Sequence, residues 1–267
     1  MSRQRVKPAD VLLDLLRGAR AQGRTAAYLI ETGALFGINE NTLRVTLSRL
    51  QARGTIESPE RGRYRLTTTA DPINEFVDRW RLGESRVKPW DGRWLFVHLA
   101  EPSNRSRWAL DALGFRLLRP GLSVRPANLN LDREQLKRLM CSIGLPASAL
   151  LIEGETDSED GAWRALWACD EISDEYRSMT RRLKESAAQL DAMDQEAARI
   201  ETFQLGGEAI HLLAKDPLLP SEFVDTEARE ALWRTLRDYD VAGQRIWATS
   251  KKDQSSSLPI PRLANEA

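Results

Sequence analysis

Between positions 41 and 49, six residues (Asn41, Thr42, Arg44, Val45, Ser48 and Arg49) supply an amide, two hydroxyls, two guanidinium groups and one small branched apolar side chain. Such a set suits hydrogen bonding to the edges of flat bases better than bond making. A guanidinium fork matches O6 and N7 of guanine, an amide matches adenine, and Val45 can meet a thymine methyl. Arg61 and Arg63 flank Gly62, and guanidinium groups at such a turn suit phosphate oxygens. The chain offers little for catalysis. It has no Walker, Gly-rich phosphate-binding or Ser/His/Asp signature. His98 and His211 are far apart, and neither Cys141 nor Cys169 has a partner at zinc-like spacing. We therefore expect no catalytic residue, metal or cofactor.

These residues need elements to hold them. Pro8 suits the first turn of a helix, and Val11, Leu12, Leu15, Leu16 and Ala19 then recur at helical spacing. Gly23 ends this helix. Thr25 is placed to cap a second, with Ala26, Leu29, Ile30 and Ala34 on its apolar face. Gly37-Ile38 makes a tight turn, and Asn39 is an N-cap candidate with Glu40 at the positive end of the dipole. Leu43, Leu47 and Leu50 point one face of the third helix inward, leaving Asn41, Val45, Ser48 and Ala52 outward with Thr42, Arg44 and Arg49 beside them. Residues 55–58 and 63–67 read as two strands joined by a turn at Pro59-Glu60-Arg61-Gly62. Helix, turn, helix and a basic two-stranded wing predict a winged helix-turn-helix over residues 1–70, whose recognition helix enters the major groove of double-stranded DNA.

Charge agrees with this placement. The net charge is zero, from 39 Lys+Arg and 39 Asp+Glu, but residues 1–70 hold 12 basic and 6 acidic side chains while residues 156–267 hold 14 and 22. A basic end and an acidic body suit a protein that turns one end to a polyanion. With 42% hydrophobic residues and no apolar run of about 18 residues, neither a membrane span nor a signal peptide is expected, and the cytoplasm is the expected location. In that compartment both cysteines should be reduced, and we expect them partly buried.

At roughly 100–200 residues per domain, the length allows two or three domains. A connecting helix is expected over 71–88, starting from Asp71-Pro72 and broken near Gly83. Over 89–155 the order strand, helix, strand, strand, helix, strand predicts a ferredoxin-like domain, with His98 in its core or sheet. A helical C-terminal domain is expected over 156–249, with helices around Trp163 to Ile172, through a polar stretch over 177–201, and over 226–247. In between, Pro217-Leu218-Leu219-Pro220 should turn its leucines inward. Residues 250–267 read as a disordered tail. The expected class is α+β, mainly helical.

Three groups of residues, in this order and spacing, resemble the PaaX-like family of repressors of phenylacetic acid degradation. They are residues 40–50 with Arg61-Gly62-Arg63-Tyr64; Trp90-Asp91-Gly92-Arg93-Trp94; and Lys215-Asp216-Pro217-Leu218-Leu219-Pro220 with Leu166-Trp167 and Tyr176-Arg177 upstream. The resemblance spans nearly the whole chain. It implies the same three-part layout and a dimeric repressor released from its operator by an aryl-acyl-CoA such as phenylacetyl-CoA. The chain departs from the family in having only Gln22-Gly23-Arg24-Thr25 where a longer Gly-rich stretch usually precedes the second helix. For the effector, the tryptophan-rich middle suggests Trp90 and Trp94 against an acyl group, with Arg93, Arg105 and Arg107 on phosphates. The competing reading for most of the tryptophans is plain core. Two other functions use the same residues: a metal-dependent nuclease with Asp91 as a carboxylate ligand and Asp111 and Glu101 as distant candidates, and a winged-helix adaptor for protein contacts. Arg44 and Arg49 count against the adaptor.

Overall fold

The computed structural model describes residues 7–19, 22–67, 76, 78–156 and 163–248. The expected tail over 250–267 and the Asp71-Pro72 helix start lie outside them. The chain is α+β and mainly helical, with two small antiparallel sheets.

Its first core is made where the sequence periodicity places it. Helix α1 (Pro8–Ala19) buries Val11, Leu12, Leu15, Leu16 and Ala19. Helix α2 (Ala26–Leu35) begins at Thr25, whose hydroxyl accepts from Tyr28 N at 3.2 Å. Helix α3 (Glu40–Ala52) buries Leu43, Leu47 and Leu50. The expected inner face of α2 needs correction. Ala34 is exposed, Ile30 is half-buried, and Gly33 faces inward. A Cβ on Gly33 would lie 2.7 Å from the Leu43 methyls, so the missing side chain lets α2 and α3 cross closely. Strand β1 (Arg24–Thr25), too short for a sequence signal, pairs with β3 (Arg63–Leu66), which pairs with β2 (Ile56–Glu60). Gly23 allows the first contact, since a Cβ there would stand 2.2 Å from Tyr64 O.

The second sheet comprises β4 (Trp94–His98), β5 (Arg116–Arg119), β6 (Leu122–Pro126) and β7 (Leu150–Gly154), in the order β5-β6-β4-β7 and antiparallel throughout. Helices α4 (Asn104–Ala112) and α5 (Arg133–Ile143) supply the crossovers. A capping box starts α5: Asp132 Oδ1 accepts from Gln135 N at 2.7 Å, and Gln135 Oε1 accepts from Asp132 N at 2.9 Å. Alternation along β4 divides the faces. Leu95 and Val97 pack with Leu110, Leu113, Leu136 and Met140, whereas Trp94 and Phe96 join the core of the C-terminal helices. His98 is a sheet residue as expected but is exposed at the strand end.

The C-terminal helices are α6 (Cys169–Ala187), α7 (Gln195–Ala214) and α8 (Thr226–Ala248). The polar stretch over 177–201 divides at 188–194 between α6 and α7, and the Asp194 carboxylate caps α7 by accepting from Ala197 N at 2.8 Å. Of the doublet between the prolines, Leu219 is fully buried in the C-terminal core and Leu218 packs on the second core, so adjacent side chains join the two. Both cysteines are free thiols; Cys169 is buried, but Cys141, contrary to expectation, is exposed. The described part of the expected connecting helix over 71–88 is a 3-10 helix, Arg79–Arg86, kinked at Gly83 with φ 54°. A Cβ on Gly83 would lie 2.5 Å from the Trp233 ring, so this segment is held tightly against α8.

Candidate nucleic-acid interface

Asn39 fixes the start of α3. Its extended backbone (φ −70°, ψ 154°) leaves Oδ1 to accept from Thr42 N at 2.8 Å, satisfying one of the helix's orphan amides. With the three leucines turned inward, Asn41, Arg44, Val45, Ser48 and Arg49 are exposed and Thr42 is half-buried. Val45 is 40% exposed, which marks it as an apolar group on an outer face. Ser48 Oγ donates to Arg44 O at 3.1 Å, leaving its lone pairs outward.

The arginines differ in readiness. Arg44 Nε donates to Glu40 Oε1 at 2.8 Å, in a pair with both side chains about 60% exposed. Such a pair is worth little and exchanges readily for another acceptor. Arg49 makes no side-chain hydrogen bond or ion pair among the described residues. Sequence reading missed Arg53, exposed at the C-cap of α3 and equally unpaired there. The signal was available, because Arg53 follows Arg49 by four residues and so lies on the same stripe of the helix.

The hairpin β2–β3 turns through Arg61-Gly62, starting two residues later than expected because β2 runs on through Pro59 and Glu60, with Glu60 opposite Arg63. Gly62 adopts φ 80°, a conformation that favours glycine. Its carbonyl accepts from Ala26 N at 2.7 Å, which fixes the tip against the start of α2. Arg61 projects from this tip, exposed and without an ion pair among the described residues. Arg63 is half-buried and tethered: Nε donates to Glu60 Oε1 at 2.5 Å and a terminal nitrogen to Gln22 O at 3.3 Å. Among the described residues the site therefore brings together one exchangeable arginine (Arg44), three unpaired ones (Arg49, Arg53 and Arg61) and a braced Arg63.

Of the residues singled out for an effector, Trp90, Arg93 and Trp94 meet, but Arg105 and Arg107 lie apart from them. Trp90 and Trp94 sit edge to face, 5.4 Å apart, with Trp163, Trp167 and Phe223 around Trp94. Trp94 is fully buried, and Trp90 Nε1 donates to Arg93 O at 2.6 Å. This cluster is core. Arg93 pairs with Glu153 at 3.3 Å. Arg105 and Arg107 are exposed on α4, which packs on the opposite face of the sheet; Arg107 donates to Asn104 Oδ1 at 2.8 Å, and Arg105 lies over Gly144. Of the carboxylates, Asp91 accepts from Arg93 N at 3.1 Å and orders the turn before β4, while Asp111 pairs with Arg116 at 2.7 Å. Among the described residues no three His, Cys, Asp or Glu side chains converge.

Residues 11–70 match the PaaX-like protein family, and residues 167–249 match the PaaX-like protein C-terminal domain. Together they span more than half of the 267 residues. The chain belongs to the PaaX-like family. The first match contains α3 and the hairpin, and the second contains α6, α7 and α8. A solved structure, the uncharacterized protein Rv0674 from Mycobacterium tuberculosis, is similar at 26% sequence identity and a TM-score of 0.55, over 90% of this chain and 97% of that one. The similarity therefore extends through the middle sheet, between the two family matches. No curated protein matches this PaaX-like chain. Among the described residues, no helix is long and apolar enough to cross a membrane.

Proposed function

We propose that this PaaX-like protein is a cytoplasmic, DNA-binding transcriptional repressor of a catabolic operon. Its α3 enters the major groove of an operator, and the β2–β3 hairpin lies along the backbone as a wing. The observation that carries the reading is the outer face of α3. There Asn41, Val45 and Ser48 are small enough for close approach to base edges, and Arg44 and Arg49 stand beside them. In this reading the chain works as three units: a winged helix-turn-helix over 1–70, a ferredoxin-like unit over 89–155 reached through 71–88, and a helical unit over 156–249.

One such unit touches few phosphates, so tight binding at cellular salt favours a two-fold dimer on a pseudo-palindromic site, with half-sites spaced by about one helical turn or a multiple of it. Family membership supports control by an aryl-acyl-CoA that lowers operator affinity. The separation of Arg105 and Arg107 from the tryptophans argues against those residues as the effector site.

The test is selection of duplexes from a random pool by the full chain. Enrichment of a two-fold symmetric sequence is expected, followed by loss of binding when phenylacetyl-CoA or a related thioester is added. Failure to enrich any sequence would overturn the groove-reading function.

A further inference from the structure

Three arginines converge where the first core's connecting segment, the middle sheet and the C-terminal helices meet. Arg79, Arg86 and Arg125 line one cavity, with Asp216 as the only carboxylate among the described residues of its wall. The remaining lining is mostly apolar, with Phe76, Leu113, Leu131 and Leu218 among its residues. Arg125 is 1% exposed and spends its donors on the neutral acceptors Pro126 O, Leu113 O and Asn128 Oδ1. Arg86, 6% exposed, likewise donates to Gly83 O and Leu213 O. Arg79 is half-buried and makes no side-chain hydrogen bond or ion pair among the described residues.

Among the described residues, nearby carboxylates do not balance these charges. Glu84 is engaged by Arg229 through two bonds of 3.0 Å. Asp216 Oδ1 accepts from Tyr176 Oη and Leu218 N, while Oδ2 has no hydrogen-bond partner and lies 4.0 Å from Arg229 Nε. Among the described residues, counting Glu84 against Arg229 and Asp216 against one more guanidinium leaves two positive charges unmatched around an apolar-walled space. Burial lowers the pKa of all three cavity arginines, that of Arg125 to about 9, which reflects the cost of holding these cations away from water. A buried cation retained without a counter-ion calls for one.

We propose that this cavity is the binding site of an anionic small molecule with an apolar body, a carboxylate or phosphate carried on an aryl or alkyl group, with Arg79 as its principal contact. This deepens the regulator reading, since it supplies a place for the effector, but the site itself stands on the unmatched arginines. The cavity is nearly closed, about 20 Å³, which is room for one water. Entry of a larger anion therefore selects an arrangement in which the walls stand apart. One wall is Ala214, the last residue of α7. The same helix carries Phe203, which packs on Phe36 at the end of α2 with ring centroids 4.8 Å apart and lies against the first core. From Phe203 to Ala214 a helix rises about 16 Å, so a shift of the cavity wall reaches the proposed DNA-reading unit through one rigid element.

The test uses the full chain and four probes: phenylacetate, octanoate, phenyl phosphate and phenylacetyl-CoA. Phenylacetamide serves as the uncharged control and inorganic phosphate as the anion without a body. Calorimetry should show binding of at least one probe and of neither control. Arg79→Gln should weaken it by about tenfold or more, the range of a charge-assisted hydrogen bond. Arg119→Gln, on exposed β5, should leave it unchanged. Leu131→Phe, which fills the wall without removing charge, should also weaken binding and guards against a misfolded Arg79 variant. No binding by any probe, or equal binding by wild type, Arg79→Gln and Leu131→Phe, overturns the site and leaves a solvated cavity only. Duplex selection by the same preparation separates the two claims. DNA binding without probe binding removes the cavity proposal alone, and probe binding without DNA binding removes the regulator alone.

Discussion

Arginine plays opposite parts at the two ends of this molecule. On α3 and the hairpin, Arg44, Arg49 and Arg61 are exposed, and among the described residues only Arg44 of the three holds an ion-pair partner, a solvated glutamate one turn away. At the junction of the middle sheet and C-terminal helices, Arg86, Arg125 and Arg229 are almost wholly buried. These three guanidinium groups donate to carbonyls, Asn128 or Glu84. A solvated guanidinium can change partners at little cost, so it suits recognition. A buried one has lost its hydration and is committed to the groups that replaced it. Burial of Arg229 would lower its pKa, but Asp216 and Glu84 more than offset this and raise it.

The sharpest break of this contrast is Arg229→Ala. It strands Glu84 and the fully buried Asp216 carboxylate, and should cost about 3–5 kcal/mol in denaturant unfolding. A loss below about 1 kcal/mol, the surface-pair range, would erase the distinction between the two groups. Next is Arg49→Ala. Its expected cost is about 1–3 kcal/mol of operator affinity, with the unfolding midpoint unmoved, because the side chain is exposed and makes no hydrogen bond or ion pair among the described residues. A fall in stability matching the fall in affinity would make Arg49 structural. Asn39→Ala removes the cap that sets α3 and should cost about 1 kcal/mol of stability. Circular dichroism and thermal unfolding check it, and no change would mean that packing alone positions the helix. The smallest effect is expected at the hairpin tip. Arg61→Ala should weaken all duplexes alike and reduce the slope of log affinity against log salt by about 1. A sequence-selective loss with an unchanged slope would show the tip reading bases.

The exposed group was legible in the sequence and the buried one was not, for physical reasons. Period and capping are local, so Leu43, Leu47, Leu50 and Asn39 fix which way Arg44 and Arg49 face before any tertiary contact is known. Likewise the six elements of the middle sheet announce themselves by alternation and turns. Burial of Arg86, Arg125 and Arg229 depends on groups such as Leu213 O and Glu84, which stand 127 and 145 residues away in the chain. No local pattern marks an arginine that will be covered. The same limit explains the effector residues. Trp94 and Arg105 lie near one another in sequence, but alternation along β4 and the crossover through α4 put them on opposite faces of one sheet. The two-residue strand β1 and the inward turn of Gly33 also escaped. The first is too short to alternate, and the second is settled by the approach of Leu43 from another helix.

The central claim is that the outer face of α3 reads DNA sequence. Its most direct test is the ratio of affinities for a selected duplex and a random one, measured at fixed salt for wild type and for Arg44→Ala/Arg49→Ala. The predicted result is a folded variant whose ratio falls by about tenfold or more, since each lost bidentate contact is worth about 1–3 kcal/mol of discrimination. A folded variant that keeps the wild-type ratio would contradict the claim.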